Sequence, residues 1–168
     1  MKNNTINNVE RIKCSSESLA EMLDSTQWAN EFSWNQLIAM SDYMKAYRAV
    51  KGTVIFNEGA LESSLGIIVE GRIDIIKTDD QKTQGVIATL VAGNTFGEMS
   101  LIDAEPRSAQ AVASKDVVML IMTKDALFDL EKITPSLAIK LLWRISTMIS
   151  QRLRRTSGQL VDYLSEND

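Results

Sequence analysis

The chain has 168 residues, 45% of them hydrophobic, so it can bury one sizeable core and is too short for two ordinary domains with linkers. Its formal net charge is -4 and its isoelectric point is about 5.0, which excludes a general attraction to nucleic acid or to anionic lipid. The sequence contains no histidine and therefore lacks the commonest general base and the commonest metal ligand.

The N-terminal residues do not have the pattern of a targeting signal. The first 18 are polar and rich in asparagine, without the apolar core of a signal peptide. No run of the sequence is long and apolar enough to cross a membrane. The single cysteine, Cys14, cannot form an intramolecular disulfide, which fits a reducing compartment. We therefore expect a cytoplasmic protein that does not contact a membrane.

Residues 1–33 are predicted to be an N-terminal extension, partly helical. An amphipathic patch within it is compatible with one loose docking helix or with a flexible lead-in, and the sequence leaves both open. This patch consists of Leu19, Met22, Leu23 and Trp28. Ser33 then predicts the N-cap of a second helix, which we expect to end near Tyr47. The apolar face of that helix is Trp34, Leu37, Ile38, Met40 and Met44.

From Ala49 to about Met122, short β-rich runs alternate with glycine or charged turns. The predicted strands are residues 54–56, 65–69, 73–76, 86–90 and 117–122. Several short strands at this spacing are typical of an antiparallel barrel or jelly roll. The fold class is therefore predicted to be α+β: an antiparallel β-roll flanked by N-terminal helices and a long C-terminal helix.

The C-terminal third is predicted to be helical. A short helix is expected at residues 125–130, and Thr134-Pro135 predicts the start of a long helix, with proline at its first position. Apolar residues recur along this helix every three or four positions, interrupted by Thr156. The stripe comprises Leu142, Ile145, Ile149, Leu153, Leu160 and Tyr163 or Leu164. It could pack on the chain's own β-roll, but because the helix should extend past the roll, pairing with a second copy is favoured.

One compact segment carries the groups that a sugar phosphate requires. Residues 96–101 read Phe-Gly-Glu-Met-Ser-Leu, and residues 106–109 read Pro-Arg-Ser-Ala. A glycine lets backbone N–H groups approach an anion, a carboxylate accepts hydrogen bonds from a ribose, and an arginine fork neutralises a phosphate. Glu98 and Arg107 could instead form a surface ion pair, and Ser108 could satisfy a turn. The neighbouring glycines favour the ligand interpretation.

These motifs resemble the cyclic nucleotide-binding domain shared by bacterial catabolite activators, kinase regulatory subunits and gated channels. The resemblance covers residues 34–153 in element order and is sharpest at 96–113, which look like the family's phosphate-binding cassette. Weaker matches are Lys-Gly-Thr-Val-Ile-Phe-Asn-Glu-Gly at 51–59 and Ile-Val-Glu-Gly-Arg-Ile at 68–73. The resemblance implies that residues 34–168 form this domain, including the long helix.

The resemblance also implies roles for individual residues. Glu98 would accept the ribose 2′-hydroxyl, Arg107 would pair with the cyclic phosphate, and Ser108 would donate its hydroxyl to it. A short helix opening near Ser100 would direct free N–H groups at the anion. The complete set of ligand-binding residues implied is Phe96, Gly97, Glu98, Met99, Ser100, Arg107, Ser108, Ala109, Thr156 and Ser157.

The choice of base is predicted to depend on the end of the long helix. In catabolite activators an Arg-Leu-x-x-Thr-Ser run places two hydroxyls against the adenine amino group, and Arg152 to Ser157 is similar. Alternatively, Thr156 and Ser157 could cap or fray a helix end just before Gly158. We expect cAMP as the ligand, while Ser108 keeps cGMP open because its hydroxyl could reach a guanine amino group.

The expected mechanism is that of a sensor. The ligand closes the cassette and draws the C-terminal helix over the base as a lid, which changes the surface offered to a separate effector protein. Catabolite activators continue into a DNA-reading domain, whereas this sequence ends ten residues after Gly158, so no DNA binding is expected. The helix is locally basic, which we interpret as a solvated face. Its basic residues are Lys140, Arg144, Arg152, Arg154 and Arg155.

Three other classes of protein compete with the receptor. A scaffold of the same fold that binds no nucleotide is opposed by the intact Glu98 and Arg107. A cupin-like enzyme needs a metal held by histidines, which the chain lacks. A nucleotide hydrolase would require a Gly-Lys-Ser/Thr phosphate loop or a metal-ligand cluster, and the sequence has neither. We therefore expect no enzymatic activity and no metal.

Overall fold

The computed structural model describes residues 9–166. The helices are α1 (Ser16–Asp24), a 3₁₀ helix (Gln27–Glu31), α2 (Trp34–Ser41), α3 (Glu98–Asp103), α4 (Lys124–Ile133) and α5 (Pro135–Glu166). The strands are β1 (Val9–Ile12), β2 (Lys45–Ala49), β3 (Val54–Phe56), β4 (Ser64–Glu70), β5 (Arg72–Thr78), β6 (Gln84–Val91), β7 (Thr95–Phe96), β8 (Gln110–Ala113) and β9 (Val117–Thr123). The polar lead-in of residues 1–8 and the final residues 167–168 of the predicted domain lie outside the described residues.

The strands form two antiparallel sheets that face each other. One has the order β1-β2-β9-β4-β7 and the other the order β3-β8-β5-β6. A first core lies between the five-stranded sheet and the helices, and a second lies between the two sheets. The predicted fold class, an α+β chain with an antiparallel β-roll, N-terminal helices and a long C-terminal helix, is confirmed.

All five predicted strands are present, but the sequence did not reveal β1, β2, β7 or β8. The helix expected to end near Tyr47 is wrong in its length, because α2 ends at Ser41 and residues 45–49 form β2. Ala46 is buried in the core between the sheet and the helices, Ala49 is buried in the core between the two sheets, and the strand pairs with β9 along its whole length. Residues 45–49 combine alanines with charged residues, which is not a typical strand pattern. Pairing with β9 therefore determined the conformation of this segment.

The N-terminal elements are held by side-chain caps. Ser15 caps α1, and Ser33 and Gln36 form a capping box at the start of α2. The predicted single loose helix is two pieces, α1 and the 3₁₀ helix, because Thr26 bonds back to the carbonyl of Leu23 and ends α1. Residues of both pieces pack in the same core as α5. The division of the chain at residue 33 stays a prediction.

Helix α5 has 32 residues and is therefore about 48 Å long. It begins at Pro135, and the carbonyl of Thr134 accepts bonds from its first turn. It continues through Gly158 to Glu166, so the alternative in which Thr156 and Ser157 cap or fray a helix end is wrong. The apolar stripe is divided: Ile145 is fully buried, whereas every residue from 151 to 165 is exposed. No helix within residues 9–166 is apolar over a length that could cross a membrane.

Candidate functional site

The predicted cassette is a tight turn between β7 and β8 that contains the six-residue helix α3. Gly97 precedes the helix with φ of 76°, in the left-handed region that favours glycine. A Cβ atom at this position would lie 2.7 Å from the carbonyl oxygen of Ser64 and would overlap the guanidinium of Arg107. Glycine is therefore required here both by the turn and by the close approach of Arg107.

Arg107 is buried beneath α3, with 4% of its surface exposed. Its Nη1 donates to the carbonyl oxygens of Ser64 (2.9 Å) and Gly97 (2.8 Å) and to the hydroxyl of Ser100 (2.7 Å). Its Nη2 donates to the hydroxyl of Ser64 at 2.7 Å. The face of the guanidinium lies 4.1 Å from the ring centre of Phe56. These contacts fix the position of Arg107 before any ligand is present.

The positive charge of Arg107 has no ion-pair partner among the described residues. All of its hydrogen-bond acceptors are neutral oxygens, and its Nε is buried without an acceptor. Burial lowers the pKa of Arg107, with only partial compensation from the charges of Glu62 and Glu98. A buried guanidinium with an unsatisfied Nε and no ion-pair partner among the described residues is suited to bind an anion.

Glu98, the first residue of α3, is 2% exposed. One carboxylate oxygen forms an ion pair with Arg152 of α5, and the other, Oε2, is buried without a donor. Burial raises the pKa of Glu98, and the nearby charge of Arg152 opposes that rise. The surface ion pair between Glu98 and Arg107 considered from the sequence is therefore excluded, because both residues are buried and Glu98 pairs with Arg152.

Arg152 was interpreted from the sequence as part of a solvated basic face; its side chain is 45% exposed, but it also contacts the cassette. Besides Glu98, its guanidinium donates to the carbonyl oxygen of Thr95 at 3.1 Å. Arg152 therefore joins α5 to both sides of the cassette turn. The basic residues around it gave no signal that this one differs, since only the folding of α5 over β7 brings it to Glu98.

The structure brings most of the predicted ligand set together. Phe96 is buried and its ring centre lies 5.9 Å from that of Phe56. Ser100 and Ala109 are buried, whereas Met99 is half exposed and the Ser108 hydroxyl lies 3.8 Å from the sulfur of Met99.

Thr156 and Ser157 stand apart from this group. They are exposed, and within the described chain neither makes a side-chain hydrogen bond. They follow Arg152 by four and five residues, which is about 6–7.5 Å along the helix axis.

A second set of contacts holds the strand that follows Arg107. The backbone of Arg107 exchanges 2.8 Å hydrogen bonds with Gly59 and Ala60. Lys77 donates to the carbonyl oxygen of Ser108 at 2.6 Å and forms an ion pair with Glu58. The hydrogen bond from Lys77 lowers the pKa of Glu58. The match at residues 51–59 did not indicate that the end of this segment clamps the cassette.

Comparison with known proteins identifies the family to which the fold belongs. Residues 48–132 match the family model of the cyclic nucleotide-binding domain. The chain is 32% identical over 115 residues to the cyclic AMP receptor protein of Thermus thermophilus, covering 68% of this chain and 51% of that protein. It is 29% identical over 86 residues to a cAMP-dependent protein kinase regulatory subunit of Aspergillus fumigatus, covering 51% of this chain and 20% of that protein.

A solved structure gives the same result for the fold. A cyclic nucleotide-binding domain from Methylobacillus flagellatus superposes with a TM-score of 0.82 and 28% identity, over 94% of this chain and 90% of that one. The chain spans about half the length, or less, of the curated relatives it matches. Because the family model covers half of the sequence and includes the whole cassette, the chain belongs to the cyclic nucleotide-binding domain family.

Proposed function

We propose that the chain is a cyclic nucleotide receptor that binds cAMP and signals through its C-terminal helix to a separate partner protein. The observation that carries the proposal is a pair of unsatisfied buried atoms, Nε of Arg107 and Oε2 of Glu98. The first is a donor on a guanidinium that has no ion-pair partner among the described residues, and the second is an acceptor. A cyclic phosphate and a ribose hydroxyl are the complementary acceptor and donor.

The electrostatics of Arg107 support the phosphate assignment. A buried cation bonded only to neutral oxygens is costly, whereas a phosphate would supply both the missing charge and an acceptor for Nε. The bonds to Ser64, Gly97 and Ser100 already hold the guanidinium in place. Binding therefore requires little ordering of this side chain, and the favourable pairing is retained as affinity.

The link between Glu98 and Arg152 supports the lid mechanism. A ribose hydroxyl that donates to Glu98 would compete with Arg152 for the negative charge of the carboxylate. Arg152 joins α5 to the cassette through its bonds to Glu98 and Thr95. Ligand can shift the helix only to the extent that it binds the two helix positions with different affinity. A base that also contacts Thr156 and Ser157 would supply that difference.

The base preference follows from the same helix. Thr156 and Ser157 lie about one turn beyond Arg152 with their hydroxyls unused, and we assign them to the adenine amino group. The alternative is cGMP, and one observation favours it: the Ser108 hydroxyl is exposed and has only a thioether contact, so it remains available to a guanine amino group.

The exposed half of α5 supports a homodimer. An isolated helix of about 15 residues is marginal in water, and this one carries several exposed apolar side chains. They are Leu153, Leu160, Val161, Tyr163 and Leu164. Spacings of three and four residues continue the stripe from Leu142, so a second α5 could cover it as in a coiled coil. The effector protein would then recognise the paired helices.

Calorimetric titration of the full chain with cAMP and with cGMP tests the proposal. We expect one site per chain, with cAMP binding more tightly than cGMP. 5′-AMP serves as the control, since it has the same base and ribose but an open phosphate with a different charge and shape. If neither cyclic nucleotide produced heat with protein that circular dichroism shows to be folded, the chain would be a scaffold of this fold and the receptor proposal would be wrong.

A further inference from the structure

A cavity of about 640 Å³ lies between the two sheets, next to the cassette. Its lining includes residues of β3 in the smaller sheet and of β2 and β9 in the larger one. Its apolar wall includes Tyr47, Ile55, Phe56, Phe96, Met119 and Ile121. This volume is in the range of sites that bind small organic molecules.

The cavity differs from the candidate nucleotide site. Of the predicted ligand set, only Phe96 and Arg107 reach its wall, and neither Glu98 nor Arg152 does. The stacked rings of Phe56 and Phe96 lie along this wall, beside Arg107. A molecule in the cavity would therefore contact Phe56 and Arg107 without reaching the acceptor that we assign to the ribose.

The polar groups at the mouth are largely satisfied by the protein itself. The Ser64 hydroxyl accepts from Arg107, the Thr123 hydroxyl accepts from the first turn of α4, and the carbonyl oxygen of Ser63 accepts from the backbone of Lys124. The hydroxyls of Ser64 and Thr123 each still have an O–H to donate, so the lining keeps these two donors for a polar atom of a ligand. The remaining wall favours an apolar occupant.

The charges around the cavity cancel. Two acidic side chains, Glu62 and Asp125, and two basic ones, Arg107 and Lys124, line it. The four formal charges sum to zero, and an anion or a cation in the cavity would meet two groups of its own sign. The aromatic rings along the wall favour a ring that can stack at an offset or edge to face.

We propose that this cavity is a second binding site, for an uncharged apolar molecule of one or two aromatic rings. Such a molecule would pack between Phe56, Met119 and Ile121, stabilised by the apolar area that it removes from water. Because Phe56 stacks on Arg107, occupancy would also change nucleotide affinity, and the nucleotide would change occupancy by the same factor. This coupling rests on the proposed function, whereas binding in the cavity does not.

The direct test uses N-phenyl-1-naphthylamine, an uncharged fluorescent probe, on the full chain without nucleotide. We expect saturable binding with one probe per chain, seen as an increase in probe fluorescence. In methionine-methyl NMR spectra, the signal of Met119 should shift with the same saturation curve, while that of Met40, buried among the helices, stays in place. Probe binding that left Met119 unchanged would place the probe elsewhere, for example on α5, and would overturn the proposal.

Variants provide an independent check. Ile121→Trp and Ile55→Trp fill the cavity from opposite sheets, and each should weaken probe binding at least tenfold. Val118→Trp is the matched control, because this half-buried residue lies on the same strand as Ile121 and does not line the cavity. Equal affinity in all three variants would contradict the assignment, even if the protein bound no nucleotide. Probe binding confined to the cavity would support it, whatever the result with cAMP.

Discussion

Arg107 and Glu98 are 4% and 2% exposed, whereas every residue from 151 to 165 of α5 is exposed. The cassette therefore places two charged groups in a rigid, water-excluded turn, while the C-terminal half of α5 projects with its apolar stripe uncovered. The cassette is preorganised by its own hydrogen bonds. The end of α5 is where we propose that the ligand and a second chain bind.

The two regions meet at Arg152. This residue lies at the start of the exposed half of α5, and its ion pair with Glu98 is the link between buried and exposed parts of the candidate site. A change at the cassette can reach the helix through this pair. We therefore expect variants of the cassette to affect affinity most strongly, and variants of the helix end to affect assembly and choice of base.

The largest expected effect is that of Arg107→Ala. It removes the buried charge assigned to the phosphate, so cAMP affinity measured by calorimetry should fall at least tenfold, or about 1.4 kcal/mol. It also leaves the acceptors of Ser64 and Gly97 without a donor, so chemical denaturation should show a loss of about 1–3 kcal/mol in stability.

Arg48→Ala is the control for that variant, because Arg48 is an exposed arginine on β2. It should bind cAMP like the wild type. A folded Arg107→Ala protein with wild-type affinity would show that the phosphate assignment is incorrect.

The next effect concerns assembly. Leu153→Asp combined with Leu160→Asp places charges in the stripe and should convert a dimer to a monomer in sedimentation equilibrium. Gln151→Asp combined with Arg155→Asp adds charge to the opposite side of the helix and should leave the mass unchanged. If the wild-type chain sedimented as a monomer at high concentration, the dimer proposal would be wrong.

Glu98→Gln should change stability in a pH-dependent way. Burial raises the pKa of Glu98, so the folded protein favours the protonated carboxyl over the ionised one. The stability that protonated Glu98 contributes is therefore lost as pH rises through the folded pKa. Glutamine resembles the protonated carboxyl. The ligand-free variant should therefore melt a few degrees higher than wild type at pH 7, since 1 kcal/mol corresponds to about 2–4 °C at this size, and the difference should vanish towards pH 4.

The exposed Glu21→Gln variant should show no such pH dependence. A lower melting temperature for Glu98→Gln at pH 7 would mean instead that the ion pair with Arg152 outweighs the cost of burying Glu98.

The smallest expected effect is at the helix end. Thr156→Ala and Ser157→Ala should each weaken cAMP binding a few-fold, and cGMP binding less, because each removes one hydroxyl assigned to the adenine amino group. Competition titrations with both nucleotides measure the ratio. Equal losses would point to an altered helix, and Ser108→Ala, which should weaken cGMP more than cAMP, is the complementary variant.

Much of the β-roll could be predicted from the sequence because its strands are short runs rich in β-branched residues and bounded by glycine or charged turns. The strand β2, Lys-Ala-Tyr-Arg-Ala, could not, since it has no regular alternation and is defined by its pairing with β9. The short strand β7 has two residues and no pattern of its own. In both cases the partner strand, rather than local preference, determines the conformation.

The candidate site, like the fold, could be predicted from the sequence only in part. Glu98 and Arg107 were assigned from one local motif, because glycine, carboxylate and arginine occur close together in sequence. Arg152 lies 54 residues from Glu98, in a basic run with no distinguishing neighbour. The cavity between the sheets is lined by residues from six separate strands and the start of α4, and no sequence pattern marks it.

A crystal structure of the chain with cAMP tests the central claim most directly. We expect Nε of Arg107 to donate to a phosphate oxygen at about 2.7–2.9 Å, and Oε2 of Glu98 to accept from the ribose 2′-hydroxyl. The bonds from Arg107 to Ser64 and Gly97 should persist, since they hold the guanidinium in place. A bound cAMP whose phosphate contacted neither Arg107 nor α3, with both buried atoms still unsatisfied, would contradict the account.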